Sequence, residues 1–488
     1  MIELTASEVA QATGGRLTAD PGVRVTGPVV ADSRLVEPGA LFAAIPGARV
    51  DGADFAAGAV ADGAVLVLAA REIDGLPVVV VDDVAAALGD LARVVLERLR
   101  AANPAVKVFS ITGSAGKTTT KDLLGRLVAG EAADGGSDTI APTGSFNSEI
   151  GLPLTVLRGT AATRKLVLEL GADKPGDIGY LASIVRPQIA VILMVGTAHI
   201  EFFGSQEAIA DAKAEVLGGL VPGGTAVLNA DDERVLGLAP RATALGHRVV
   251  TFGRVPSADV RAEDVTVDAT GRASFTLRVR GRVAAAGEVA DDLRLPVSLR
   301  LVGEHHVSNA LAAATAAILA GTAPSVVAER LSAAEPGSPH RMAVTERPDG
   351  ITVVDDAYNA NPESMRAALR SVAVMAGRTR RSVAVLGEMR ELGEGARAAH
   401  DAIGRLVVRL NIKLLVVVGD GAYHIHEGAM QEGSWGEETV FVPDLDAARA
   451  ELAERLRPGD VVLVKASNGS GLWQLGDELA AGTLGAAL

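Results

Sequence analysis

Short aliphatic runs, glycine-bearing turns and amphipathic stretches succeed one another along most of the chain. In the first hundred residues Ala64-Val65-Leu66-Val67-Leu68 and Pro77-Val78-Val79-Val80-Val81 read as buried strands, and 83–100 places its apolar residues at helical spacing. Thr5 with Glu8 three residues on has the form of a helix capping box. Pro104 closes the helical pattern, so 101–104 reads as a linker. From about 105 to 335 strands at 165–170, 188–195 and 225–229 alternate with helical stretches, which predicts a mostly parallel sheet. Beyond about 340 the pattern restarts. A strand at 351–354 runs into a polar turn at 355–362 and a helix from Glu363, and further strands follow at 382–386, 414–418 and 461–464. That is a second doubly wound unit, without a GxGxxG fingerprint. No low-complexity tract or short repeat interrupts it.

Length agrees with this division, since 488 residues suggest about three domains. Aromatics are only 3% of residues while hydrophobics are 48%, so the cores must be built from Ala, Val and Leu. A net charge of −14 argues against a nucleic-acid partner held by a broad basic face, but not against a nucleotide in a local cationic pocket. The absence of cysteine excludes disulfides, thiol catalysis and thiolate zinc sites, and fits the cytoplasm. Met1-Ile2-Glu3-Leu4-Thr5 has no features of a signal peptide, and no apolar run approaches a membrane span, so no membrane insertion is expected.

The strongest chemical signal is Thr112-Gly113-Ser114-Ala115-Gly116-Lys117-Thr118-Thr119, between a β-branched run and a helix reaching to about Ala129. Glycines let the backbone approach an anion, and the N–H groups and dipole of the helix start favour phosphate. Lys117 is expected at the β/γ-phosphates and Thr118 at Mg²⁺. The strict GxxxxGK[ST] pattern fails at its first position, Ile111, so a plain strand–turn–helix is the competing reading.

Other candidates also have two readings. Asp32-Ser33-Arg34 through Pro38-Gly39-Ala40-Leu41-Phe42, with Gly47-Ala48-Arg49-Val50-Asp51-Gly52, fits either a phosphate-binding loop or a solvated loop with a surface ion pair. Glu169 and His199 fall near the carboxyl ends of strands, where a metal-bound nucleotide would sit, yet either fits an ordinary surface or loop role. Lys213 stands in an Ala-rich helix where a solvated lysine is the default. Asn309, entering another Ala-rich helix, suits a cap slightly better than an amide reading adenine.

Taken together these segments resemble the Mur ligases of peptidoglycan synthesis over nearly the whole chain. The phosphate loop is the form typical of that family, which accounts for Ile111. Asp32-Ser33-Arg34 with 38–42 is similar to its uridine-nucleotide segment, 143–153 to the loop facing sugar and metal, and 195–201 to its metal-site histidine motif. Asp356-Ala357-Tyr358-Asn359-Ala360-Asn361-Pro362 stands where the member that completes the tripeptide carries a different, His-containing motif, and the Asp-Asn-Pro-Arg signature is absent. Leu193-Met194, His340 and Lys465-Ala466-Ser467-Asn468 depart from the usual Thr-Asn, Gly and Lys-Gly-Ser-Arg.

The resemblance implies an α/β fold of three domains. These are a UDP-sugar-peptide-binding α/β domain at 1–102, a P-loop-type ligase domain at 103–338, and a Rossmann-like domain at 339–488. It implies an ATP-dependent ligase joining UDP-N-acetylmuramoyl-tripeptide and D-alanyl-D-alanine, acting as a cytoplasmic monomer. Lys117, His199 and Lys213 are then expected to be catalytic. Gly113, Ser114, Ala115, Gly116, Lys117, Thr118, Thr119, Asn309, Arg341, Asp356 and Tyr358 would bind ATP. Ser33, Arg34, Asn147, Asn359 and Asn361 would meet the other substrates. Thr118, Glu169 and His199 would hold two Mg²⁺, with Lys213 carbamylated. Two rivals follow: a folylpolyglutamate synthetase, disfavoured by the Asp-Ser-Arg segment, and a non-catalytic nucleotide switch, disfavoured by the intact Lys117, Glu169, His199 and Lys213.

Overall fold

The computed structural model describes every residue except 48–49, 131–136, 284–291, 434–437 and 485–488. Ala48 and Arg49 of the proposed N-terminal ligand loop therefore lie outside the described residues. Among the described residues the strands form sheets of five, nine and six, with a two-stranded ribbon pairing Leu4–Thr5 with Arg24–Val25. The capping box predicted at Thr5 is present: Thr5 Oγ1 accepts from Glu8 N, and Glu8 answers at Thr5 N.

The first sheet includes the predicted strands, as Leu66–Ala69 and Val78–Val80, and three not predicted, Arg16–Leu17, Val29–Val30 and Leu41–Ala44, the last wholly buried. Ala40-Leu41-Phe42 thus belongs to the core rather than to a ligand loop. Helix Val84–Ala102 is capped by Asp83 and extends through Ala101 and Ala102, leaving only Asn103 and Pro104 of the predicted linker. Its buried face joins Leu152, Val156, Ile178 and Ile184 in one apolar cluster, so the first domain is anchored on the second.

The central sheet is parallel from Thr139–Ile140 through Val260–Val267, with strand Lys107–Thr112 between Lys165–Glu169 and Ile189–Ile192. Both faces of Lys107–Thr112 are covered, as its near-continuous burial requires. Register sets Glu169 beside Ile111 and Ile192 beside Thr112, so three strands end level with one another. The sheet then departs from expectation: Val260–Val267, Arg272–Val279 and Leu293–Val302 form an antiparallel meander at its far edge. The Ala-rich helix His306–Leu319 is buried along nearly its whole length and packs on helix Lys117–Val128, small side chains allowing the close approach.

The six-stranded sheet is the predicted second doubly wound unit. Thr352–Asp355, Val461–Lys465, Ser382–Leu386, Leu414–Val418 and Thr439–Val442 run parallel, with Ala343–Glu346 antiparallel at one edge. No helix among the described residues is long and apolar enough to cross a membrane.

Candidate active site

The loop leaving Lys107–Thr112 needs two glycines for different reasons. Gly113 has φ 152°, and a Cβ there would come within 2.8 Å of Leu193 Cβ. Gly116 is left-handed at φ 83°, and its Cβ would collide with the Asn309 amide. No side chain caps the helix that begins at Lys117, so its first N–H groups are free for an anion. This loop opens into a cavity of about 950 Å³ between the central and C-terminal sheets. Ser114, Ala115, Gly116, Lys117, Thr118, Thr119, Asn147, Glu169, His199, Asn309, Arg341, Asp356, Tyr358, Asn359 and Asn361 all line it.

At the strand ends Glu169 is buried and fully engaged. Thr118 Oγ1 donates to its Oε2 at 2.8 Å, while Ser145 Oγ and Asn147 Nδ2 donate to Oε1 at 2.9 and 3.1 Å. Lys117 Nζ donates to Gly113 O at 2.8 Å. Burial lowers the pKa of its ammonium; Glu169 opposes the shift, and the Arg341 guanidinium adds to it. Two cations thus face one cavity, and the Ser114 hydroxyl, His306 Nε2 and Arg341 Nε are buried there without partners. Such an arrangement is built for a polyanion with hydrogen-bond acceptors.

His199 sits in a left-handed turn at φ 62° after strand Ile189–Ile192. Its Nδ1 lies 2.6 Å from Glu391 Oε2, a close ionic contact without hydrogen-bond alignment. Burial lowers its pKa, with Lys117 adding to the effect and Glu391 opposing it, which keeps an imidazole nitrogen free as a ligand.

Lys213 is not the solvated residue its neighbours suggest. It is buried in helix Gln206–Gly219, and desolvation, followed by the charge of Lys117, pushes its amine down to about 7. The acids beside it in sequence are engaged elsewhere. Asp211 lies 3.6 Å from Arg241, and Glu215 accepts from the backbone of Gly176 and Gly179. Asn309 corrects the cap reading: it lies inside helix His306–Leu319, whose N-cap is His305, and its Nδ2 is 3.1 Å from His306 Nδ1.

The C-terminal sheet supplies the opposite wall. Arg341 stacks over Tyr358, 4.2 Å from guanidinium carbon to ring centroid. Lys465 Nζ donates to Asp356 Oδ2 at 2.6 Å and to Asn359 O at 2.8 Å. Asn361 is foremost a cap: its Oδ1 accepts from Ser364 N, and its Nδ2 reaches Ser114 O of the glycine turn before Lys117 at 3.3 Å. The structure does not bring Ser33 and Arg34 to this cavity. Arg34 is exposed and closes on Asp32 at 2.6 Å, and that hydrogen bond holds the Asp32 carboxyl down to about 2. The surface ion pair of the plainer reading is therefore present.

Glu391, Glu363, His305, His306 and Lys465 had no role assigned from sequence. Lys465 ends a buried strand exactly as Glu169 does, so the strand-end rule could have found it. Glu363 meets Thr197 Oγ1 at 3.2 Å across the domain boundary, and Glu391 arrives from a loop of the last sheet; neither contact leaves a sequence signal.

This three-sheet arrangement is matched by known proteins. Profiles described as Mur ligase family, catalytic domain; Mur ligase middle domain; and Mur ligase, glutamate ligase domain cover residues 28–95, 111–317 and 340–468. The chain belongs to the Mur ligase family. The UDP-N-acetylmuramoyl-tripeptide–D-alanyl-D-alanine ligase of Mycobacterium tuberculosis is 46% identical, over 99% of this chain and 98% of its own. The ligase of the same name from Escherichia coli is 32% identical over 92% and 94%. MurF from Acinetobacter baumannii superposes with TM-score 0.83 at 29% identity, over 98% of this chain and 99% of its own. MurF from Thermotoga maritima, solved in complex with ADP, superposes with TM-score 0.75 at 27% identity, over 94% and 98%.

Proposed function

We propose that this chain adds D-alanyl-D-alanine to UDP-N-acetylmuramoyl-tripeptide, with ATP converted to ADP and phosphate, giving the pentapeptide precursor of peptidoglycan. The observation that carries the reading is the set Lys117, Thr118 and Glu169 at level strand ends, facing Arg341 in one cavity, in a chain 46% identical along its length to ligases of that name. We place the domains at 1–102, 103–338 and 339–488, a division supported by the separate sheets and by the end of the first long helix at Ala102.

A carboxylate resists amine attack because oxide is a poor leaving group. One oxygen of the tripeptide carboxylate attacks the γ-phosphorus and ADP departs, leaving an acyl phosphate. The dipeptide amine then attacks the acyl carbon, the tetrahedral intermediate expels phosphate, and the amine loses a proton. The chain's contribution is positioning and charge neutralisation. Lys117 and the loop N–H groups offset phosphate charge; Asn309 meets the adenine; Arg341, Asp356 and Tyr358 close over the nucleotide. Ser33 and Arg34 hold the uridine diphosphate, while Asn147, Asn359 and Asn361 border the peptide substrates.

The donors suit Mg²⁺. Thr118 and Glu169 offer hard oxygens 2.8 Å apart, and His199, kept neutral by its surroundings, would hold a second ion. When bound, the ions neutralise phosphate charge and polarise the reacting oxygens. A carbamate on Lys213 suits the same region: its amine is near half neutral at pH 7, and the Lys117 cation favours an anion there. We further propose that the enzyme works as a cytoplasmic monomer.

The test is phosphate release with ATP and UDP-N-acetylmuramoyl-tripeptide, comparing D-alanyl-D-alanine with single amino acids. Release should require the dipeptide. Equal release with D-alanine alone, or with no amine at all, would sink the assignment.

A further inference from the structure

Arg341 stands between two residues with positive φ, His340 at 55° and Met342 at 51°. Neither is a glycine, and positive φ is uncommon for any residue that carries a Cβ. The segment crosses from the central sheet to the C-terminal sheet, so its local shape decides where Arg341 points. Each side of the arginine is pinned to the turn that lines the cavity. Met342 N donates to Asp356 Oδ1 at 3.1 Å, and His340 O accepts from Tyr358 N at 3.2 Å.

His340 adds a side-chain anchor. Its Nδ1 is 2.6 Å from Oδ2 of Asp355, a buried carboxylate whose Oδ1 accepts from Ala357 N at 3.1 Å. Trp473 packs against the imidazole at a centroid distance of 5.9 Å, and Gly476 leaves room for the carboxylate, since a Cβ there would lie 2.6 Å from it. Asp477 Oδ1, at 4.0 Å, completes a group of three side chains that are potential metal ligands. An ion would hold its nitrogen and oxygen ligands about 2.9 Å or more apart, so the 2.6 Å separation is that of a hydrogen bond rather than of a metal site.

We infer that His340 is a positioning residue for Arg341: through Asp355 it clamps the left-handed crossover so that the guanidinium lies over Tyr358 and faces the nucleotide. The inference rests on the reading of Arg341 as a nucleotide contact. Alanine at 340 would lose the anchor and keep the conformational penalty. Glycine would relieve the penalty and lose the anchor. Asparagine tolerates the left-handed region and can donate to Asp355.

The experiment is calorimetric titration of the full-length variants with MgADP, alongside their melting temperatures and the KM for ATP. His340→Ala and His340→Gly should each weaken MgADP about tenfold and raise the KM for ATP similarly with kcat less affected. His340→Asn should restore most of the loss. Adding His340→Ala to Arg341→Ala should weaken binding no further, because both changes remove one interaction. Wild-type affinity in His340→Gly, or additive losses in the double variant, would overturn the inference; the glycine variant decides the matter should the alanine variant fold poorly. If Arg341→Ala weakens MgADP while the His340 variants do not, only this inference fails. If Arg341→Ala binds like wild type, the nucleotide reading of Arg341 fails with it.

Discussion

The carboxyl end of the central sheet and the Asp32–Arg34 turn of the first domain both carry charged residues suited to phosphate, and they are built in opposite ways. At the sheet end Glu169 is buried and receives hydrogen bonds from Thr118, Ser145 and Asn147 before any ligand arrives. In the turn, Arg34 is 86% exposed along its side chain and satisfied by its neighbour Asp32. A buried carboxylate is costly unless its oxygens are paired, so the fold itself fixes Glu169 and the three donors around it. The exposed pair is free to exchange partners, so its ligand must compete with Asp32 and with water. In the proposed function, chemistry falls to the rigid end and recognition of the large substrate to the adaptable one.

Substitutions at the two ends should differ accordingly. The largest effect is expected for Lys117→Ala, which removes a charge without removing core volume. ATP turnover should fall about 10³-fold while the melting temperature stays near that of wild type. A well-folded variant with wild-type turnover would erase the distinction between the regions.

Next in size is Lys213→Ala, for which a loss of about 10²-fold or more is expected, in line with removal of a group that organises the reacting centre. Short-chain carboxylic acids should restore part of the activity by occupying the place of the carbamate. Inactivity without rescue would keep Lys213 essential but remove the argument for carbamylation, and full activity would return it to a structural role.

At the adaptable end, Arg34→Ala should raise the KM for UDP-N-acetylmuramoyl-tripeptide about tenfold, as loss of one charge-assisted contact would, and leave the KM for ATP unchanged. A change confined to ATP would show that the division of labour is misassigned.

The smallest effect is a pH dependence. The folded amine of Lys213 sits at about 7, below its unfolded value of 10.5. Between those values the unfolded chain binds more protons, so Lys213 makes stability rise with pH across that window and costs stability below it. In CO₂-free buffer without metal or nucleotide, Lys213→Met should flatten the rise in urea midpoint between pH 7 and 9. An unchanged slope would mean that the lysine is hydrated in solution.

What could be read from sequence follows the same physical divide. The glycine turn before Lys117, the strand-end position of Glu169 and the restart of the chain after about 340 are legible because strand periodicity and glycine turns are local. The meander of Val260–Val267, Arg272–Val279 and Leu293–Val302 carries alternating burial that its sequence displays, yet the surrounding parallel pattern masked it. Lys213 was misread locally because its burial comes from packing, and the charge that perturbs it, Lys117, is 96 residues away in a different helix. Asn309 looked like a cap because asparagine is a poor helix residue, whereas the helix begins earlier, at His306. Glu391 and Glu363 reach the site from another domain, and nothing in their neighbouring residues marks the contact.

The central claim, that ATP drives amide formation by phosphorylating the tripeptide carboxylate, can be tested by following oxygen. UDP-N-acetylmuramoyl-tripeptide labelled with ¹⁸O in its reacting carboxyl group is turned over with ATP and D-alanyl-D-alanine, and the products are read by mass spectrometry. The account predicts one ¹⁸O in each inorganic phosphate and one retained in the new amide carbonyl. Unlabelled phosphate accompanying pentapeptide formation would contradict it.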